Sequence, residues 1–258
     1  MRILFVGDIV GKPGRKVFSS VLPGARQSDG PFDFVVVNAE NAAGGFGLTA
    51  KIMQELFDIG ADILTSGNHI WDNRDALPLL DEESRLLRPA NYPPEARGRG
   101  MATFEKKGLK LAVLNLQGRI FMQALDCPFR RADEELTSLE AGIPVLVDVH
   151  AEATSEKRAL ALYLDGRVSA VVGTHTHVQT ADEEILEGGT AFISDVGMTG
   201  GHGGIIGMES ESIISRFLTG MPSKFVVCGK DSRMDAVVID IDEKTGKSIS
   251  IKRLSLDS

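Results

Sequence analysis

The most constraining feature of this sequence is a series of short apolar segments, several of which run directly into polar residues. The segments are rich in valine and isoleucine, and helix-like stretches separate many of them. Runs of this kind are typical of strands in a sheet that is buried on both faces. The predicted strands are Ile3–Val6, Phe34–Val37, Ile63–Leu64, Lys110–Leu116, Val145–Val149, Ala170–Val172 and Ala191–Ser194.

Helices are predicted between the strands, and the end of the chain has a different pattern. The predicted helices are Arg15–Leu22, Thr49–Gly60, Arg131–Ala141, Ser155–Leu164 and Glu209–Leu218. Apolar and polar residues alternate over 234–242 and 248–254, which predicts an antiparallel hairpin at a sheet edge. No repeat or linker divides the chain, so we expect an α/β fold with one domain over residues 1–258.

Charge and composition argue against several classes of protein. The chain carries 36 acidic and 28 basic side chains, a net charge of −8, so we expect no binding to long nucleic acid polymers. No apolar run approaches the roughly 18 residues that cross a membrane. The apolar start is broken at Gly7 and Asp8, too early for a signal peptide. Cys127 and Cys228 form no zinc or disulfide motif, and we expect a cytoplasmic protein.

Polar side chains that can bind a metal follow five of the predicted strands. They are Asp8, Glu40, Asn41, Asn68, His69, His150, His175 and His177. Because the carboxyl ends of parallel strands meet at one sheet edge, we expect these residues to lie together. Taken singly, each also fits a helix cap, a turn or a histidine bonded to backbone. Their repetition at five strand ends favours a metal site.

The residue types in this set indicate the chemistry of the site. Asp8 and Glu40 supply two negative charges, so two divalent ions would leave an excess of about +2 that attracts an anion. Two ions can hold a hydroxide and polarise a phosphoryl group, which predicts phosphate ester hydrolysis by attack of the metal-bound hydroxide on phosphorus. Imidazole, amide and carboxylate ligands without thiolate suit iron, manganese or zinc better than calcium.

The motifs around these residues resemble the metallophosphoesterase (calcineurin-like) superfamily, and most closely its YmdB-like bacterial branch. They are Gly7-Asp8-Ile9-Val10-Gly11, Asn38-Ala39-Glu40-Asn41, Gly67-Asn68-His69-Ile70-Trp71-Asp72 and Gly173-Thr174-His175-Thr176-His177. The similarity spans most of the chain, and the Gly-Asn-His and Gly-x-His-x-His elements in this order are specific. The resemblance implies a four-layer β-sandwich flanked by helices, with the ligands at the carboxyl ends of strands, and a homo-oligomer.

The resemblance also implies two bound metals, iron or manganese, with zinc as the alternative. One metal would be held by Asn68, His150 and His175, the other by Asp8 and His177, with Glu40 as the bridge. His69 would be the acid that protonates the leaving oxygen or stabilises its charge. The wider superfamily has Asp-x-His where this chain has Asp8-Ile9-Val10, and Asn41 could fill the vacant position. The YmdB-like branch shares this departure and implies phosphodiesterase activity toward cyclic nucleotides.

Three functions remain open from the sequence. The first is a phosphodiesterase acting on small phosphodiesters, namely 2′,3′- or 3′,5′-cyclic nucleotides. The second is a phosphomonoesterase or a nuclease of short RNA, and the third is a non-catalytic regulator that senses a phosphorylated ligand.

Several other residues have two readings. His202, in a glycine-rich loop, either closes over substrate or is a solvated histidine. Basic residues near the motifs could reach a phosphate, although solvated positions are the default; they are Lys12, Arg15, Arg119, Lys157 and Arg158. The spacing of Gly45–Ala50 fits a dinucleotide fingerprint, but a flexible loop beside Glu40 is the favoured interpretation.

Overall fold

The computed structural model describes all 258 residues, with thirteen strands and six helices. The strands are β1 (Arg2–Val6), β2 (Asp8–Ile9), β3 (Phe34–Asn38), β4 (Ile63–Thr65), β5 (Met101–Lys106), β6 (Leu109–Gln117), β7 (Val145–His150), β8 (Ala170–Thr174), β9 (Glu184–Ile185), β10 (Ala191–Ile193), β11 (Met198–Gly201), β12 (Ser232–Ile241) and β13 (Ser248–Asp257). The helices are α1 (Gly11–Ser28), α2 (Ala50–Ile59), α3 (Ala76–Glu82), α4 (Pro128–Thr137), α5 (Thr154–Leu164) and α6 (Ser210–Thr219). A 3-10 turn covers Asn68–Trp71.

The strands form two mixed sheets. The first has the order β2-β11-β12-β1-β3-β4, with β13 also paired to β12. The second has the order β5-β6-β7-β8-β10-β9, and its four central strands are parallel. Strands β1, β3 and β4 are likewise parallel, whereas β12 runs antiparallel to β1. Each sheet therefore has a parallel group whose carboxyl ends can contribute side chains to a common site.

Alternating side chains place each sheet between two apolar layers. Ile3 and Phe5 of β1 point toward the second sheet and pack with Val113 and Leu146, whereas Leu4 of the same strand packs with α1 and α2 on the other side. The outer face of the second sheet packs against α4 and α5. The four-layer sandwich implied by the resemblance is confirmed, and burial of both sheet faces explains the continuous apolar strands.

The predicted elements are present, with differences at their ends and several additions. Helix α1 begins at Gly11 and ends at Ser28, beyond both predicted limits. Helix α4 begins at Pro128, because proline suits the first helical position, and it ends at Thr137 rather than Ala141. The edge strand β5 and the glycine-containing β11 were missed. The terminal antiparallel hairpin is confirmed as β12 and β13, but only β13 lies at a sheet edge, because β12 also pairs with β1 and β11. None of the helices combines the length and apolar character that a bilayer crossing requires.

Gly173 near the end of β8 allows the closest backbone approach in the second sheet. A Cβ atom at this position would lie 1.7 Å from the Ser194 carbonyl oxygen. Replacing Gly173 with Ala should therefore lower the free energy of unfolding by about 1–3 kcal/mol or more, since β8 and the segment after β10 must separate. Urea unfolding followed by circular dichroism measures this change.

Gly24 in α1 supplies the matched control. A Cβ atom there meets nothing within 4 Å, so Gly24→Ala should raise the free energy of unfolding by up to about 1 kcal/mol. Equal stability of the two variants would contradict the packing described for Gly173.

Candidate metal centre

The eight predicted site residues lie together where strand ends from both sheets meet. Asp8 lies in β2, the Glu40 and Asn68 segments follow β3 and β4 of the first sheet, and the histidine segments end or follow β7 and β8 of the second. A cavity of about 570 Å³ opens above them. Five of the eight line this cavity, namely Glu40, Asn41, His69, His175 and His177.

One set of donor atoms converges on the Nε2 atom of His150. This nitrogen lies 3.0 Å from Glu40 Oε1, 3.1 Å from Asn68 Oδ1 and 3.1 Å from His175 Nδ1. The side chains of Glu40 and His150 have no exposed surface. Donor atoms of Glu40, His150 and His175 all lie within 4.8 Å of one another, so these residues could share a cation.

A second set surrounds the carboxylate of Asp8. Its Oδ1 atom lies 3.7 Å from His177 Nε2. The Asn41 amide nitrogen lies 3.2 Å from the same histidine nitrogen and 3.3 Å from Glu40 Oε1. Glu40 thus contacts members of both sets, as a bridging residue must. For the Asn41 oxygen to act as a ligand, the amide must turn by half a rotation, which exchanges its oxygen and nitrogen.

Contacts on the outer side of each imidazole determine which nitrogen faces the centre. They are His150 Nδ1 to the Thr174 hydroxyl at 2.9 Å, His175 Nε2 to the Glu152 carboxylate at 3.3 Å, and His177 Nδ1 to the Ile206 carbonyl at 3.0 Å. A nitrogen that faces an oxygen acceptor carries the ring proton and leaves the lone pair on the other nitrogen. The outer proton of each ring therefore lies away from the centre. The inward nitrogens of His150, His175 and His177 could each bind a metal, and on His150 the metal would displace the second proton that this ring carries.

The pKa values show that the buried carboxylates stabilise an additional proton on His150 and that His175 stays neutral. Burial opposes the charged form of His150, but the carboxylates of Glu40 and Asp8 outweigh it and raise the pKa of His150 to about 9. Burial and the neighbouring His150 lower the pKa of His175 to about 3. Burial alone would raise the pKa of Asp8, yet the contact with His177 lowers it to about 2. The two carboxylates thus remain ionised and stabilise a cation.

Unpaired oxygens in the centre fit the same conclusion. Asp8 Oδ1 and Asn41 Oδ1 are buried and have no hydrogen-bond partner. A buried polar atom without a partner costs about 1–3 kcal/mol, and a charged one costs more. Metal coordination would remove this cost for Asp8 Oδ1, and for Asn41 Oδ1 once the amide has turned. Ligation by carboxylate, amide and imidazole suits iron, manganese or zinc, so the residues present fit such cations.

A hydrogen-bonded network beneath the centre orients His150, and the sequence analysis did not identify it. The buried carboxylate of Asp148 accepts hydrogen bonds from the Thr174 hydroxyl at 2.8 Å and the Thr65 hydroxyl at 2.5 Å. Because Thr174 donates its single proton to Asp148, its oxygen accepts from His150 Nδ1. Burial raises the pKa of Asp148 to about 7. The network fixes the tautomer and the orientation of His150.

A buried ion pair orients the turn that carries His175 and His177. Both histidines have positive φ angles, 103° and 65°, which are strained for residues other than glycine. The Thr176 N–H between them donates to Asp195 Oδ2 at 3.0 Å, and Lys157 Nζ donates to the same oxygen at 2.7 Å. Asp195 follows β10, so the strand-end pattern could have identified it. Lys157 is buried in this ion pair, which corrects the expectation of a solvated or phosphate-binding side chain.

His202 and the remaining basic residues lie outside the cavity lining. His202 Nε2 lies 3.1 Å from Asp235 Oδ2 and its Nδ1 lies 3.1 Å from the Gly200 carbonyl, so this ring is held in place. Arg15 pairs with Glu55. Arg216 is the one arginine or lysine that lines the cavity, and no sequence motif pointed to it.

His69 lies in the cavity wall beside the donor atoms. Its backbone N–H donates to Glu40 Oε2 at 2.9 Å, and its ring Nδ1 lies 2.7 Å from Asp72 Oδ2. These contacts fix both the backbone and the ring. The Nε2 atom, which makes no hydrogen bond within the protein, is left to meet a bound molecule.

The Thr174 hydroxyl can be tested by replacing it with an isosteric methyl group. Thr174→Val should lower the free energy of unfolding by about 1–3 kcal/mol, because Asp148 and His150 each lose a buried partner. It should also weaken Mn²⁺ binding about 10–100-fold. Urea unfolding and titration calorimetry measure the two effects.

The same substitution at Thr199 is the control. The Thr199 hydroxyl is buried without a hydrogen-bond partner, so Thr199→Val should be neutral or stabilising and should leave Mn²⁺ binding unchanged. Equal losses in the two variants would contradict the role of the network.

Comparison with known proteins agrees with the fold and identifies the family. A Bacillus subtilis protein named 2′,3′-cyclic-nucleotide 2′-phosphodiesterase is 49% identical over 258 residues, which cover 100% of this chain and 97% of the relative. Crystal structures of a hypothetical protein from Thermus thermophilus and a phosphatase from Mycoplasma pneumoniae both have a TM-score of 0.94, at 43% and 33% identity. These cover all of this chain, and 100% and 93% of the respective structures.

A more distant structure shares the fold alone. A putative 5′-nucleotidase from Staphylococcus aureus has a TM-score of 0.63 at 14% identity, and the alignment covers all of this chain and 55% of that one. The family described as YmdB-like protein matches residues 4–254. The chain therefore belongs to the YmdB-like protein family.

Proposed function

We propose that this chain is a metal-dependent phosphodiesterase that hydrolyses small phosphodiesters, with 2′,3′- or 3′,5′-cyclic nucleotides as the substrate class. The observation that carries the proposal is the convergence of two carboxylates and three imidazoles at and beneath the floor of a 570 Å³ cavity. A cavity of this size suits a nucleotide. The name of the Bacillus subtilis relative supports the same substrate class.

The proposed ligands form two groups joined by Glu40. Asn68, His150 and His175 would hold one ion, and Asp8, His177 and Asn41 would hold the other. When bound, two iron or manganese ions, or zinc as the alternative, supply an activated water and positive charge against the phosphoryl oxygens. Asp148 and Asp195 keep the ligands in position through His150 and Thr176.

His69 is the proposed general acid. Its Nε2 faces the cavity, and Asp72 holds the opposite nitrogen, so the ring can deliver a proton to the departing alkoxide. The Glu40 carboxylate fixes the backbone of His69, which keeps the acid beside the centre that holds the phosphoryl group.

Phosphomonoester hydrolysis is the second candidate. The Mycoplasma pneumoniae structure at 33% identity is described as a phosphatase, which favours this alternative. A panel containing a monoester, both cyclic diesters and a short RNA, measured with one metal, separates the substrates. A regulator without turnover would show ligand binding and no product.

Replacing His69 with Ala should reduce kcat for a 2′,3′-cyclic nucleotide about 10²–10⁴-fold, because the alkoxide must leave without a proton. The loss should be much smaller for bis(p-nitrophenyl) phosphate, whose leaving group needs no protonation. Steady-state kinetics and metal analysis of each preparation measure these effects. Asp72→Asn should give an intermediate loss, since it weakens the hold on His69 Nδ1. Equal losses on both substrates at full metal content would remove the role of His69.

Removing the metals with a chelator should abolish turnover, and adding Mn²⁺ or Fe²⁺ should restore it in proportion to the metal bound. The reason is that the positive charge of the ions would be needed to neutralise the negative charge of the phosphoryl group, which the side chains of the site do not neutralise by themselves. Full turnover by metal-free protein would contradict the proposed function.

The proposed location is the cytoplasm. The two thiols, Cys127 and Cys228, are free, which is typical of proteins in a reducing compartment.

The proposal includes a homo-oligomer. Helix α6 and the segment after it expose a group of large apolar side chains, namely Ile214, Phe217, Leu218, Met221 and Val226. A cluster of this kind is typical of a protein contact surface. Leu218→Glu should lower the mass measured by light scattering to that of one 27.7 kDa chain, whereas Ile249→Glu on β13 should not change it. A single-chain mass for the unmodified protein would exclude the oligomer.

A further inference from the structure

One wall of the cavity is largely apolar, although a phosphate group would need only polar or charged contacts. The floor carries the carboxylates and imidazoles described above, whereas the wall toward α6 is built from aromatic and aliphatic side chains. These are Phe46, Ile205, Ile206, Met208, Ile213, Phe217 and Phe225. A ligand that fills the cavity therefore has an anionic part over the floor and a largely apolar part against this wall.

Two phenylalanines continue the wall outward from the proposed acid. The ring of Phe46 lies 4.9 Å from the ring of His69, in an edge-to-face arrangement at 68°. The ring of Phe225 lies 5.9 Å from that of Phe46, and the two planes differ by 33°. The Arg216 guanidinium lies 5.2 Å from the centre of Phe225 and forms no ion pair. Flat groups thus extend from the general acid to the cavity rim.

The aromatic wall is held in place before any ligand binds. Phe46 and Phe225 pack on a small buried cluster, composed of Val10, Met198, Met208 and Ile213. Phe46 stands between Gly45 and Gly47, whose positive φ angles and close neighbours fit only glycine. These glycines therefore serve close packing, which differs from the flexible loop expected from the sequence. A ligand gains contact area on rings that are already ordered, so little conformational entropy is lost on binding.

We propose that Phe46 and Phe225 form the platform for the nucleobase of the substrate. This inference rests on the proposed function and adds the residues that recognise the base. An aromatic face stacks on any base, and a base is the part of a cyclic nucleotide that is both flat and largely apolar. The ribose links the base to the phosphate. When the phosphate lies over the floor beside His69, the base therefore lies against the neighbouring rings of Phe46 and Phe225. Arg216, beside Phe225, adds a flat cation for the same stack.

The chemistry of the wall also sets the kind of selectivity. The two phenylalanines and the aliphatic residues offer no hydrogen-bonding group to read a base edge, so the platform accepts different bases. Purines have the larger stacking surface, and we expect adenosine and guanosine 2′,3′-cyclic phosphates to bind more tightly than the cytidine and uridine compounds.

The test compares Phe225→Leu with the unmodified protein on two diesters. One is adenosine 2′,3′-cyclic phosphate, and the other is methyl riboside 2′,3′-cyclic phosphate, which has the same reacting group and no base. Leucine keeps an apolar side chain and removes the flat face. The ratio of kcat/KM for the nucleotide to kcat/KM for the base-free diester should fall about tenfold.

Phe129→Leu is the matched control, because the Phe129 ring packs edge-on against Tyr163 outside the cavity. It should leave the ratio unchanged. A ratio that Phe225→Leu does not change, or that Phe129→Leu lowers equally, would overturn the platform.

A binding measurement separates failure of the platform from failure of the proposed function. Calorimetric titration of the metal-loaded protein with adenosine 3′-monophosphate and with ribose phosphate requires no turnover. The unmodified protein should prefer the adenosine compound, and Phe225→Leu should reduce this preference about tenfold. If neither diester is hydrolysed but the preference is present and sensitive to Phe225, the proposed function fails and the platform stands. No preference in the unmodified protein overturns the platform.

Discussion

Two carboxylates, Asp8 and Glu40, are buried without any exposed surface, and the arrangement of the site follows from the need to stabilise their charge. Burial of an ionised carboxylate is costly unless positive charge or donors lie beside it. Here the compensation comes from imidazoles. His150 stays positively charged up to a pH of about 9, and one oxygen of Asp8 still has no hydrogen-bond partner. The fold therefore maintains a centre of buried negative charge that a bound cation would stabilise.

A layer of hydrogen-bonded groups beneath the centre holds the candidate ligands in position. Asp148 orients His150 through a threonine hydroxyl, and Asp195 orients the following turn through the Thr176 amide. His175 and His177 both have strained backbone conformations with positive φ. The ion pair of Lys157 and Asp195 stabilises this turn through the Thr176 N–H. Positioning of this kind keeps the inward nitrogens fixed, so that little reorganisation accompanies metal or substrate binding.

Much of the fold and the full candidate set could be predicted, since strand-end residues such as Asp8 and His150 follow clear apolar runs. The two sheets were expected only from the family resemblance. The apolar pattern alone could not assign the strand ends to them, because alternation is hidden when both faces of a strand are buried. Asp148 was not identified, and Lys157 was expected to be solvated or to bind phosphate, for a related reason. Their roles depend on partners that are distant in sequence, and strand or helix residues with charged side chains usually face solvent. The roles of Phe46 and Phe225 could not be predicted, because they depend on the packing of both rings on one cluster that includes Ile213 of α6.

Ile206 connects the two halves of the cavity. Its carbonyl accepts the proton of His177 Nδ1, its side chain lines the apolar wall, and its φ of 41° is unusual for a β-branched residue. A molecule that presses on this side chain acts on the same backbone unit that sets the direction of an imidazole. A cation held by His177 and a molecule against this wall would thus act on one backbone unit, and any coupling between them would by thermodynamic reciprocity be equal in both directions.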